Sequence, residues 1–292
     1  MNVRPATRED FPAIADLFRS ADEAATGRTS SLDVDTVDGW LQTLSLETNT
    51  WLLEEAEGLV AGAFAELHGT RGNSAGAVRP TARGQGLGTR LVELVEGRIA
   101  KEGAARIHSW TVAGDISAEV LFRGRGYREV RRFWDMAIEL DVEPPEPTVS
   151  VERFREEDAR AFHAALEESF AEHWEHQPEP FAHWWERQRA RANYDPSVWF
   201  VIRDRGDLAG VARNEIRPKG GYVGALGVRR AWRGRGYGRA LLLESLREFR
   251  RRGMTRASLG VDASNETGAT RLYESVGMHV DQEDIVWEKA LA

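Results

Sequence analysis

The stretch "VRRAWRGRGYGRAL" (Val228–Leu241) runs from an apolar strand-like segment through three alternate glycines into an apolar helical pattern. A second stretch, "VRPTARGQGLGTRL" (Val78–Leu91), does the same at a constant offset of 150 residues. Arg83, Gly84, Gly86, Gly88 and Leu91 match Arg233, Gly234, Gly236, Gly238 and Leu241. The match extends both ways: Gly103 and Arg106 pair with Gly253 and Arg256, and "REDFPAIADLF" (8–18) pairs with "REEDARAFHAAL" (155–166). Downstream, "LFRGRGY" (121–127) aligns with "LYESVGM" (272–278). Agreement at so many separated positions marks one fold used twice.

Between the copies, "ELDVEPPEPTVSVERF" (139–154) sets Pro144, Pro145 and Pro147 among acids without periodicity. Proline removes backbone donors and favours extended chain, so this reads as a linker. The expected division is a domain over 1–141, a linker over 142–149 and a domain over 150–292. Each copy starts with an amphipathic helix (Phe11 to Arg19; Ala159 to Phe170). Apolar strand pairs follow, turning at Glu57-Gly58 and Arg205-Gly206. Then come a strand (Tyr222 to Val228) and the glycine loop. The next helix puts Leu241, Leu242, Ser245, Leu246 and Phe249 on one face and ends at Gly253. A strand (Ala257 to Val261) and a short helix (about Glu266 to Ser275) complete the unit. The fold class is α/β, with a mixed sheet flanked by helices in each copy.

Composition narrows the function classes. No apolar run is long enough to span a membrane, and the first 20 residues lack the apolar core of a secretory signal. There is no cysteine, which excludes disulfides, thiolate nucleophiles and cysteine metal sites and fits a cytoplasmic protein. A net charge of −8 disfavours non-specific nucleic-acid binding. Arginines nevertheless cluster at 229–239 and 250–256, which suits a small anionic ligand; Arg250 to Arg252 read as a solvated basic helix end. His173, His176 and His183 lack metal-ligand spacing and read as solvated, so no metal is expected. Trp174, Trp184 and Trp185 fit an acceptor pocket or a core equally.

A strand turning into a helix through glycines leaves backbone N–H groups unpaired, and the helix dipole adds positive charge there. That is a phosphate site, with Arg233, Arg235 and Arg239 adding charge. A Walker A loop is excluded, because no Gly-Lys-Ser/Thr ends the motif. A dinucleotide fingerprint needs a different glycine spacing and an earlier position in the module.

The segment "LGVRRAWRGRGYGRALL" resembles the acyl-CoA signature of the GNAT superfamily of N-acetyltransferases, supplied here by Arg233, Gly236 and Gly238. "NETGATRLYESVGM" is similar to that family's Asn…Leu-Tyr…Gly-Phe segment, with Met278 in place of Phe. The resemblance covers both halves and implies two tandem GNAT-like domains, each with a mostly antiparallel sheet. It implies acetyl-CoA as donor and a primary amine of a small molecule or peptide as acceptor. Leu226, Gly227 and Val228 would meet the pantetheine arm, and Arg233, Gly234, Arg235, Gly236, Tyr237, Gly238 and Arg239 the pyrophosphate, with Asn265 nearby. The tandem layout resembles that of the mycothiol synthases, but the acid expected on the strand before the loop is missing from "GGYVGALGV", which offers Gly221 and Tyr222.

Tyr273 is the expected general acid for the departing thiolate. Its counterpart is Phe122, which has no proton to give, so the expected catalytic domain is the C-terminal one. Glu215 and Asp262 are open alternatives for a base. The negative net charge is compatible with a cationic acceptor. An acyl-CoA sensor without catalysis is the alternative reading.

Overall fold

The computed structural model describes the chain apart from Met1, Ser31, Thr43, Glu57, Ala192, Glu266, Thr267 and Ala292. The first half builds β1 (Asn2–Arg4), α1 (Phe11–Thr26), α2 (Val34–Leu41), α3 (Leu46–Asn49), β2 (Thr50–Glu55), β3 (Gly58–His68), β4 (Arg71–Val78), α4 (Leu87–Lys101), β5 (Arg106–Val112), α5 (Ile116–Gly124) and β6 (Arg128–Glu139). The second builds β7 (Glu152–Arg153), α6 (Ala159–Phe170), α7 (Phe181–Arg189), β8 (Phe200–Asp204), β9 (Asp207–Arg217), β10 (Gly220–Val228), α8 (Tyr237–Arg251), β11 (Arg256–Asp262), α9 (Ala269–Glu274) and β12 (His279–Ala290). The repeat is therefore visible element by element. Helix α1 runs a further turn or more past Arg19, to a left-handed Gly27. The turn expected at Arg205-Gly206 is present, both residues having positive φ, whereas Glu57 lies outside the described residues.

Two compact units result: Met1–Phe133 with Gln282–Ala292, and Trp134–Asp281. Their boundaries differ from the division at 142–149. The reason is an exchange of strands. The end of the chain, β12, pairs antiparallel with β5, from Asp284↔Val112 to Ala290↔Arg106, and completes the first sheet in the order β1-β2-β3-β4-β5-β12. The later half of β6 completes the second, in the order β6-β11-β10-β9-β8-β7. The remaining described pairings are antiparallel except β4 with β5 and β10 with β11. A strand buried on both faces cannot be left out of its sheet without exposing its core side chains. Ile285, Val286 and Trp287 of β12 are all fully buried.

In the second unit, α8 covers one face of the sheet. Leu241, Leu242, Ser245, Leu246 and Phe249 are all buried, as their spacing predicts, and Gly253 terminates the helix with φ +80°. Helices α6 and α7 cover part of the other face through an aromatic core of Phe154, Phe162, Trp184 and Trp199. Trp184 is thus core, and Trp185 packs half-buried against Phe181. The basic end of α8 is solvent-facing, as its sequence suggests, with Arg251 and Arg252 exposed, and it is ion-paired as well. Arg250 pairs with Glu143 (3.1 Å), Arg251 with Glu248 (2.8 Å) and Arg252 with Asp195 (2.5 Å). The Pro-rich segment is fastened to the same end, since Arg247 donates to the Pro144 carbonyl (2.8 Å).

Expressed separately, 1–141 and 150–292 should each fail to melt cooperatively, because each lacks a strand that its sheet requires. Trp287→Ala in the intact chain should cost about 3–5 kcal/mol. Circular dichroism melts of the fragments and the variant test both; a cooperative transition in either fragment refutes the exchange.

Candidate active site

The second glycine loop leaves β10 through a short 3-10 turn (Arg230–Trp232) and enters α8 at a left-handed N-cap, Gly236 (φ +78°), with Gly234 also left-handed (φ +77°). Nothing lies within 4 Å of a Cβ built on either glycine, so conformation and not crowding requires glycine here. No side chain caps α8. Its first internal bond runs from Ala240 N–H to the Gly236 carbonyl (3.0 Å), which leaves the amides of Tyr237, Gly238 and Arg239 at the open end of the helix. Gly234, Arg235 and Gly236 are exposed beside them. This is a cradle for a diphosphate.

The three loop arginines are not equivalent. Arg233 ties the loop to its surroundings through Glu172 (2.8 Å), the Ser169 carbonyl (3.4 Å) and the Val228 carbonyl (3.3 Å). Arg235 pairs with Asp204 (3.0 Å). Arg239, half-buried, has no acidic partner among the described residues and is the cation left for a ligand. The expectation that all three add free charge is corrected accordingly.

Upstream, the β10–β11 ladder is short. Parallel pairing holds at Gly221↔Ala257 and Tyr222↔Ser258 and then lapses. Against β9, β10 carries a bulge between Val223 and Ala225. The edge of Val223–Val228 that faces β11 is therefore open, while Leu226, Gly227 and Val228 stay paired on their other edge with Ala212, Val211 and Gly210. A Cβ on Gly227 would lie 2.8 Å from Ser169, so the end of α6 rests directly on this strand. Asn265 sits past the end of β11, its amide donating to the Asp262 carbonyl (3.0 Å). Tyr237 packs half-buried beside the loop.

Tyr273 is buried on α9, and no described residue takes its hydroxyl proton. Burial, with Tyr222 adding to it, pushes the phenol up to about 12. Tyr222 lies on the opposite face of the gap, with the Arg217 guanidinium 3.4 Å over its ring. Its hydroxyl comes within 3.4 Å of the space above Gly260, and Asp135 Oδ1 within 3.6 Å of the same point. Asp135 belongs to β6, so sequence order gave no sign that it reaches this unit. Asp135 is exposed, yet the protein around it pushes the carboxyl up to about 6, with Arg217 opposing and Asp281 reinforcing.

The acids considered from sequence behave differently. Glu215 is buried and bound by Arg213 (2.5 Å), Arg191 (2.6 Å) and Arg217 (2.9 Å). Burial alone would raise its pKa, but the three guanidinium groups win and hold it at about 2. It is no base. Asp262 accepts the Ser264 amide (2.9 Å) and shapes the turn after β11. His173, expected to be solvated, packs at a tilt against Phe170 (4.4 Å between ring centres); burial holds its imidazole below the usual value, against the pull of Asp262. No cluster of metal-ligating side chains occurs among the described residues.

The first unit repeats the loop with a shorter gap, open only over 76–78. Gly84 and Gly86 have the same left-handed φ (+77° and +79°). Yet β4 and β5 stay paired from Arg71↔Arg106 through Ala75↔Trp110, and β4 carries no bulge against β3. Asp115 stands where Asn265 stands in the second unit and pairs with Arg83 (2.8 Å), placing a carboxylate beside the loop. Phe122 is buried against Tyr127 and Trp287. The run "RGRGY" (123–127) closes α5 and leads into β6, away from the phosphate loop.

A family model described as the acetyltransferase (GNAT) family matches twice, over residues 20–127 and 152–278. A mycothiol acetyltransferase of Thermobifida fusca is 30% identical over 265 residues, 80% of each chain. That of Propionibacterium freudenreichii subsp. shermanii is 29% identical over 97% of this chain and 89% of its own. Among solved structures, a GCN5-related N-acetyltransferase from Sphaerobacter thermophilus superposes with a TM-score of 0.88 at 32% identity, covering 99% of this chain and 95% of that one. A tandem GNAT protein from the clavulanic acid biosynthesis pathway shares the fold, with a TM-score of 0.73 at 16% identity over 100% of this chain and 98% of that one.

Gly236→Ala should fold, since space is open around it, at a cost of about 1–2 kcal/mol for the left-handed backbone. Its affinity for acetyl-CoA should fall at least ~10-fold, and Gly236→Val should lose binding altogether. Calorimetric titration should give one acetyl-CoA per chain, and two would show that the first loop binds as well.

Proposed function

The chain belongs to the acetyltransferase (GNAT) family and is an acetyl-CoA-dependent N-acetyltransferase; from that premise we propose that its chemistry resides in the second unit alone. The observation that carries this is the early lapse of the β10–β11 ladder, after Tyr222 and beside a bulge in β10, where the first unit has no bulge and its ladder runs on to Ala75, the counterpart of Ala225. The open strand edge fits the pantetheine arm, whose amides need backbone partners. The amides of 234–239 and Arg239 fit the pyrophosphate. In the first unit the longer ladder, the lack of a bulge and Phe122 argue against turnover. It serves as scaffold, and Asp135, on the later part of β6, belongs to the second unit.

Acetyl transfer needs a neutral amine, stabilisation of the thioester oxygen as it gains charge, and a proton for the leaving sulfur. We assign the first task to Asp135, directly or through one water. A carboxylate titrating at about 6 is a better proton acceptor than an ordinary aspartate and is still ionised at neutral pH. Backbone N–H groups on the open edge at 226–228 fit the second task. Tyr273 takes the third. A phenol raised to about 12 stays protonated at every working pH, so its proton is always present. It is also a weaker acid than an ordinary tyrosine, against a thiol of pKa about 8.5. Full transfer is uphill, and Tyr273 must act by hydrogen-bonding the sulfur as it departs.

The names of the relatives support a second reading for the acceptor, the amine acetylated in mycothiol formation. Tyr222, at the strand position where an acid would be expected for that substrate, speaks against it. We place the enzyme in the cytoplasm, where acetyl-CoA is available; no helix among the described residues is long and apolar enough to cross a membrane.

Tyr273→Phe should lower kcat about 10²-fold or more while leaving acetyl-CoA affinity unchanged. Release of free CoA thiol reads this without background, since the protein has no cysteine. For Asp135 the sign is that of a base: kcat/KM should rise with pH through about 6 as the carboxyl ionises. Asp135→Asn should lower the rate and remove that limb. An unchanged acid limb in the variant would assign the base elsewhere.

A further inference from the structure

The acceptor side of the gap carries a charge arrangement that acetyl transfer does not itself require. Glu215 accepts from Arg213, Arg191, Arg217 and Asn193 (3.3 Å), which occupies its two oxygens. One carboxylate thus faces three guanidinium groups, each with five N–H donors. Asp135, which acts on Arg217 from the far side of Tyr222, is the other acid facing the group, and Asp281 behind it is taken up by Arg256 (2.5 Å). Positive charge is left in excess. Arg191 Nε is buried with no partner among the described residues. Burial and the neighbouring Arg213 together hold the Arg191 guanidinium below its usual pKa, the sign of cations gathered without enough anion.

Position matters as much as charge. The Arg213 guanidinium lies over the bulge, with Nη2 2.6 Å from where a Cβ on Gly224 would be, at the point where β10 parts from β11. Arg217 covers the face of the Tyr222 ring, and the hydroxyl end of the same ring reaches toward Asp135. A single side chain therefore spans from the arginines to the proposed proton acceptor. Ion-pairing Glu215 alone needs one arginine, and the other two are explained by a second anion that arrives with the substrate.

We propose that the acceptor is a small amine that also carries a carboxylate, which Arg213, Arg191 and Arg217 bind while the amine faces Asp135. This rests on the reading of the second unit as the acetyl-transfer site and deepens it by naming the acceptor class. It also reverses the inference from net charge: the chain is acidic as a whole, but its acceptor side is cationic.

The test is a matched panel of α-amino acids, ω-amino acids of graded length and dipeptides, each against its C-terminal amide, with acetyl-CoA and detection of free CoA thiol. The acids should be preferred at least ~10-fold in kcat/KM, chiefly through KM. Arg213→Gln should erase the preference. Arg217→Gln, which leaves the bulge untouched, should reduce it, with the melting temperature and acetyl-CoA affinity of both variants checked separately. Amides used as well as acids, or a preference that survives both substitutions, would overturn the proposal. Acetyl-CoA binding with no turnover in either series would overturn the acceptor class and leave the donor site standing. Failure of wild-type protein to bind acetyl-CoA would remove the reading beneath it.

Discussion

The second unit is organised by one local failure of pairing, the loss of the β10–β11 ladder beyond Tyr222. Backbone amides and carbonyls in a sheet are obliged to find partners, and a strand edge that loses its neighbour offers those groups to whatever can enter. The bulge at Val223–Ala225 turns β10 away. Gly224 permits it, because a side chain there would collide with the Arg213 guanidinium. Arg213 in turn is held by Glu215, which is held by two further arginines. The buried ion cluster and the open strand edge are thus parts of one arrangement.

The first unit shows what the fold does without that failure. Its glycine loop keeps the left-handed turns, but its ladder runs three positions further and its strand carries no bulge. Its phenylalanine adds to an aromatic core in place of a proton donor. Loop geometry is common to both units, whereas the early gap, the bulge and the tyrosine hydroxyl occur together in the second. The exchange of β6 and β12 gives the two modules a reason to remain in one chain, since each unit lacks a complete sheet without a strand from the other half of the sequence.

Much of this was legible in the residues. The repeat, the helix face from Leu241 to Phe249, the glycines with positive φ and the loss of the hydroxyl at Phe122 are all local or periodic properties, and the structure has them where the sequence places them. The misjudged features share a different character. The acids that pair with Arg250, Arg233 and Arg235 were not foreseen because Glu143, Glu172 and Asp204 lie tens of residues away. Glu215 read as a possible base although Arg213 and Arg217 stand two residues to either side of it on β9; of the three arginines only Arg191 reaches it from outside the strand.

By itself, then, the sequence determined the module, its duplication, the phosphate-binding turn and which copy keeps a tyrosine. Those depend on backbone preference and on hydrophobic period, which neighbouring residues carry. Only the tertiary structure decided which strands complete which sheet, where the ladder opens, that Asp135 and the Tyr222 hydroxyl approach the same point above Gly260, and that Arg191 joins the arginines around Glu215. Strand partners and ionisation states are set by groups distant in the chain and close in space, and no local pattern encodes that proximity.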